Sequence, residues 1–138
     1  MTKPDAPVTL AEVTASRTAS SITFNWVEGP SNGGASVLDY RVSFDQALGT
    51  YVTRASEIVA TQYTATGLTA GLTYKFRVEA RNTYDYSDYS AEVEILCATV
   101  PSIPVTPTST NVNEQVQFDW TPPAKNGLEI TSYSILIR

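Results

Sequence analysis

The chain reads as all-β: a seven-strand, two-sheet sandwich followed by an incomplete second sandwich. Three observations predict this. Short runs of alternating apolar and polar residues recur with Gly, Pro, Asn and Ser between them, the pattern of strands buried on one face and wet on the other. No window of helical length carries an apolar stripe at helical spacing, and β-branched and aromatic residues fill the periodic positions instead. The length, 138 residues, holds one sandwich of ~100 residues and a remainder in which the same pattern starts again.

Val8, Leu10 and Val13 mark the first strand, and Ile22, Phe24 and Trp26 alternate through the second. The break Glu28-Gly29-Pro30-Ser31-Asn32-Gly33-Gly34 supplies the residues of a tight loop. A third strand spans Val37 to Phe44, with Tyr40, Val42 and Phe44 on one face. Thr50 to Thr53 reads as a short fourth strand after the turn at Leu48-Gly49, and Tyr63 and Ala65 alternate toward Leu68 as a fifth. The sixth is the clearest: Tyr74, Phe76, Val78 and Ala80 interleave with Lys75, Arg77, Glu79 and Arg81. Val93 and Ile95 complete the seventh. Strands of this number and spacing suit two packed antiparallel sheets, which bury one face of each strand. Residues 1–99 therefore form the first sandwich.

Residues 100–108, with Pro101, Pro104 and Pro107, read as a linker, because proline lacks the donor that a central strand needs. Residues 109–138 then restart the pattern. Val116, Phe118 and Trp120 repeat Ile22, Phe24 and Trp26, and Trp120 follows Trp26 by 94 residues, a whole-domain period. Pro122 to Gly127 repeats the first loop in character, and Ile130, Tyr133, Ile135 and Ile137 repeat the third strand. A span of ~40 residues without metal or disulfide rarely buries enough surface to fold alone. Phe118, Trp120, Tyr133, Ile135 and Ile137 are thus an expected assembly surface, completed by strands from another copy or a partner, or by further residues of a longer array.

Trp26, the Gly33-Gly34 approach to Tyr40, the segment Thr66-Gly67-Leu68-Thr69-Ala70-Gly71-Leu72-Thr73-Tyr74 and the run Phe76 to Asn82 together resemble a fibronectin type III domain, a member of the immunoglobulin-like sandwiches. The resemblance covers one complete repeat and the N-terminal part of a second, as in large tandem-repeat surface proteins. It implies that Trp26, Tyr40, Leu68, Tyr74 and Phe76 are structural, and that the Tyr74 hydroxyl closes a loop by bonding to backbone as in the tyrosine corner. The Arg-Gly-Asp motif by which some family members bind integrins does not occur.

Composition argues against catalysis. The chain has no histidine, the commonest acid-base group near neutral pH and the commonest metal ligand, and Cys97 is its single cysteine. No enzyme activity, cofactor, metal or small-molecule substrate is expected. Asp39, Asp45, Glu57, Glu79, Asp85, Asp88, Glu92 and Glu94 read as solvated surface charge, and the Lys and Arg residues of the sixth strand as a soluble outer face without a ligand. A net charge of −5 opposes nucleic-acid binding, and no apolar run approaches the ~20 residues of a membrane span.

One segment stands apart. Residues 82–90 mix tyrosine with Ser, Asn and Asp, the composition of binding loops, because tyrosine offers a large rigid contact at little entropic cost. Tyr84, Asp85, Tyr86, Asp88 and Tyr89 are the candidate partner-binding residues, and packing of the loop on its own sheet is the competing reading. Three functions remain: a structural or adhesive repeat of an extracellular array or filament, a protein- or glycan-binding module using loop 82–90, or an intracellular scaffold domain. The expected partners are other protein domains, including copies of the chain itself, at an extracellular or cell-surface location.

Overall fold

A computed structural model of the chain describes residues 1–112 and 115–136. Among these residues the strands are β1 (Val8–Glu12), β2 (Ile22–Val27), β3 (Asp39–Phe44), β4 (Val52–Ile58), β5 (Gln62–Ala65), β6 (Thr73–Arg81), β7 (Val93–Leu96), β8 (Thr108–Val112) and β9 (Gln115–Asp119). The helical element among them is a single 3-10 turn at Thr14–Ser16. The first seven strands form two antiparallel sheets, β1-β2-β5 and β4-β3-β6-β7, and β8 pairs with β9 in a third.

The alternation in β2 and β6 builds the core. Phe24 and Phe76 face each other across the sheets with ring centroids 4.8 Å apart, and both are fully buried. Trp26 lies beside Phe24 and meets Tyr40 edge-on at 5.3 Å. Val42, Val78, Ala80, Leu68, Ile95 and Cys97 complete the layer. Tyr74 is buried, and its hydroxyl oxygen accepts the Thr69 backbone N–H at 3.0 Å, which closes the turn before β6.

Two outer strands are irregular. The register of β1 on β2 shifts between Val8 and Ala11, where Thr9 adopts φ +56°, and that of β4 on β3 shifts around Glu57 at φ +59°. The register shifts at these two residues are bulges, which bend and twist the strand that carries them. The bulge explains the largest boundary error of the sequence reading. The expected strand Thr50–Thr53 meets β4 only at Val52 and Thr53, and β4 runs on to Ile58, because an edge strand with a bulge and polar residues on both faces loses the period of two.

In the remainder, β8 begins at Thr108, and β9 carries Val116 and Phe118 while Trp120 follows its end. The expected strand through Ile130, Tyr133 and Ile135 is not formed over residues 129–136, and Ile137 lies outside the described residues. A strand exists only through pairing: β3 is held by β4 on one side and β6 on the other, and no described segment offers residues 129–136 an equivalent partner.

Candidate binding surface

The loop after β6 is positioned by Asn82, whose side-chain amide is buried and makes four bonds. Its Nδ2 donates to the carbonyls of Thr2, at 2.7 Å, and Asn32, at 2.8 Å. Its Oδ1 accepts the backbone N–H groups of Tyr84 and Asp85. This uses the full donor and acceptor capacity of the amide. One side chain thereby ties the N-terminal segment, the Gly29–Gly34 loop and the tyrosine loop into one end of the sandwich.

Beyond Asn82 the loop is fastened along β6 by two serines. Ala80 N–H donates to Ser87 Oγ and Val78 N–H to Ser90 Oγ, both at 2.9 Å, while the N–H groups of Ser87 and Ser90 donate back to the carbonyls of Ala80 and Val78. The serine hydroxyls satisfy β6 donors that a neighbouring strand would otherwise meet. This seats Tyr86 and Tyr89 over the outer face of the four-stranded sheet.

There they meet arginines. The Arg41 guanidinium lies 3.8 Å from the centre of the Tyr86 ring. Arg77 is held between Tyr89, at 3.7 Å, and Tyr51, at 3.8 Å. Such contacts contribute about 0.5–2 kcal/mol each, depending on desolvation. Arg41 also forms a two-pronged ion pair with Glu79, and Arg81 forms one with Asp39. Burial pushes the Tyr51 phenol well above its ordinary value, reinforced by the negative charge of Glu92.

The five candidate residues therefore separate. Tyr84, 64% exposed, and Asp85 stand at the apex. Tyr86 and Tyr89 pack on the sheet through their ring faces, with Tyr89 still half exposed. Asp88 bridges Lys3 at 2.7 Å in solvent. The sequence reading missed Arg41, Arg77 and Arg81 as the supports of this loop, although three tyrosines following a strand of alternating arginines were a usable signal. The sequence predicts solvated charge at Asp39, Asp45 and Glu79, and the structure corrects this. All three are buried, Asp39 and Glu79 by arginine pairing and Asp45 by accepting the N–H groups of Ala47 and Lys75.

The second candidate surface lies in the remainder. Trp120 and Tyr133 contact at 5.3 Å between ring centroids and, with Pro104, Pro107 and Ile135, line a groove of ≈ 290 Å³. Phe118 is half-buried, while Trp120, Tyr133 and Ile135 are exposed. Among the described residues no group of three or more His, Cys, Asp or Glu is placed to hold a metal ion, and no helix is long and apolar enough to cross a membrane.

The profile of the fibronectin type III domain matches residues 5–95. The mouse fibronectin type-III domain-containing protein 3A is 31% identical over 127 residues, covering 88% of this chain and 10% of its own length. Chicken smooth-muscle myosin light chain kinase is 32% identical over 94 residues, covering 68% of this chain and 5% of its own. A solved structure of titin kinase and its flanking domains superposes with TM-score 0.62 at 26% identity, over 70% of this chain and 17% of that one. The chain spans about a tenth or less of the length of these curated relatives.

Proposed function

Because the chain belongs to the fibronectin type III family, whose members are generally non-catalytic structural or protein-interaction modules, we propose that it serves as a structural and adhesive repeat of an extracellular array or filament. The observation that carries the reading is the restart of the pattern 94 residues on, with a loop of the second repeat bonded to the end of the first. A chain built head to tail in this way spaces whatever lies at its ends. Labelling of intact cells that carry the native protein, with a membrane-impermeant amine reagent, tests the location. Labelling without permeabilisation is expected, and labelling only after permeabilisation refutes it in favour of an intracellular scaffold.

A second reading is favoured by one observation: Tyr84 projects at the loop apex while Asn82 holds the backbone beneath it. A rigid, exposed aromatic is suited to contact a protein or glycan partner. Arrayed glycans and immobilised copies of the chain, probed with native protein and with Tyr84→Ser, test this. Binding that is insensitive to the substitution removes the loop from the contact.

A further inference from the structure

The end of the first sandwich opposite the tyrosine loop is the start of β6, where the turn containing Gly71 bonds to the chain leaving β7. Gly71 N–H donates to the Cys97 carbonyl at 2.8 Å, and Cys97 N–H donates to the Leu72 carbonyl at 2.9 Å. Gly127, from the second repeat, sits directly on this pair of bonds. A Cβ built on Gly127 would lie 2.6 Å from Gly71 N, 2.8 Å from Cys97 O and 3.1 Å from Ala98 Cβ. No side chain fits there, so backbone meets backbone. Gly127 also has φ +97° and follows Asn126 at φ +49°, a loop form that favours Asn-Gly.

The same loop clamps the intervening chain. Thr99 N–H donates to the Asn126 carbonyl at 3.1 Å, Ser102 N–H to the Ala124 carbonyl at 2.9 Å, and Asn126 Nδ2 to the Val100 carbonyl at 2.8 Å. The first repeat contains the same device. Thr2 N–H donates to the Gly33 carbonyl and Asp5 N–H to the Ser31 carbonyl, each at 2.8 Å. In both places the glycine loop between the second and third strand positions seals its own repeat by bonding to the segment that leads into it. In the second repeat that leading segment is the tail of the first sandwich, so the seal is also a coupling.

We propose that the Ala124–Gly127 loop locks the second repeat onto the Gly71 end of the first, so that the junction holds one orientation and the pair is a stiff rod rather than two beads on a Pro-rich string. The coupling goes beyond the repeat-module reading and holds whichever compartment contains the protein. Its partner surface is the Gly71 turn with Cys97 and Ala98, and its specificity element is the missing side chain at Gly127.

Nitroxide labels at Ser56→Cys in β4 and Gln117→Cys in β9 of the full chain read the junction as a distance distribution by pulsed electron spin resonance. Cys97 is fully buried, and burial pushes its thiol up, so the introduced cysteines take the label. A single narrow distribution is expected for the native junction. Gly127→Asn keeps a residue type that tolerates positive φ but adds a Cβ against Gly71, and should broaden the distribution severalfold. A broad distribution in the native chain overturns the proposal, as does an unchanged narrow one in Gly127→Asn. Amide exchange of β8 and β9 shows whether that variant retains its sheet. Where it does not, the decision passes to Asn126→Asp, which removes the donor to Val100 O and should also broaden the distribution; no broadening there overturns the lock.

Discussion

Replacing Trp26 with alanine should cost the first sandwich about 3–5 kcal/mol. Trp26 is 3% exposed and touches Phe24 and Tyr40 through its ring. An aromatic of this size buries roughly 200 Å², which at ~25 cal/mol per Å² is on the order of 5 kcal/mol. A compact unfolded chain already hides part of that area and lowers the figure to about 3–4 kcal/mol. The lost ring contacts and the cavity add to the cost. One feature subtracts from it: Trp26 Nε1 is buried without a hydrogen-bond partner among the described residues, and removing an orphaned donor returns about 1 kcal/mol or more. Trp26→Phe separates the contributions, since it keeps most of the ring area and removes the orphan. It should cost about 1 kcal/mol or less, well below the alanine variant. Urea melts followed by circular dichroism, with equal slopes for all variants, measure both values. A loss below ~1 kcal/mol for alanine would place Trp26 outside the core, and equal losses for Ala and Phe would sink the account of the indole N–H.

Tyr84→Ser should leave the melting temperature unchanged, whereas Tyr86→Ser, which removes the ring under Arg41, should cost about 1 kcal/mol; thermal scans of the two variants decide, and equal effects would show that the loop does not rest on the sheet as described. Burial, with the Glu28 carboxylate adding to it, pushes the Tyr40 phenol up to about 12 from its ordinary 10.0. The folded state therefore holds this proton while the unfolded state releases it. The stabilisation from Tyr40 is complete below pH ~10 and is lost as pH rises toward ~12, a contribution on the order of 2 kcal/mol; urea melts across that range should show a shallower fall in Tyr40→Phe by about this amount, the part due to the buried Tyr51 phenol remaining.

The strands with regular alternation were legible because burial alone fixes their pattern: Phe24 and Trp26 in β2, and Tyr74 to Ala80 in β6, are in the core where the sequence places them. β4 was not, since its Glu57 bulge interrupts the period that makes a strand readable. The outward direction of Arg41 and Arg77 was equally plain, but not what they touch. Their tyrosine partners come from a loop folded back along β6, and that return depends on the hydroxyls of Ser87 and Ser90 replacing ladder partners, a contact between residues with no shared periodicity. The burial of Glu79 was hidden for the same reason. A carboxylate on a polar face looks solvated until the arginine opposite it, Arg41 on the neighbouring strand, is placed by the register of β3 on β6.

The bulges at Thr9 and Glu57 have a consequence for how such repeats are made. Sequences that restart every ~100 residues emerge from the ribosome next to a near-copy of themselves, and adjoining domains of like sequence are prone to exchange strands while they fold. The strands most open to exchange are those at sheet margins, because half of their backbone groups have no partner. In the first sandwich β1 and β4 are two such margins, and each carries a residue at positive φ that throws its neighbours out of step. A strand arriving from the next repeat finds a template whose hydrogen-bonding groups fall out of phase within a few residues. The distortion that hides β4 from a reading of its alternation thus also works against misassembly, favouring pairing of the first sandwich with its own strands while its core closes.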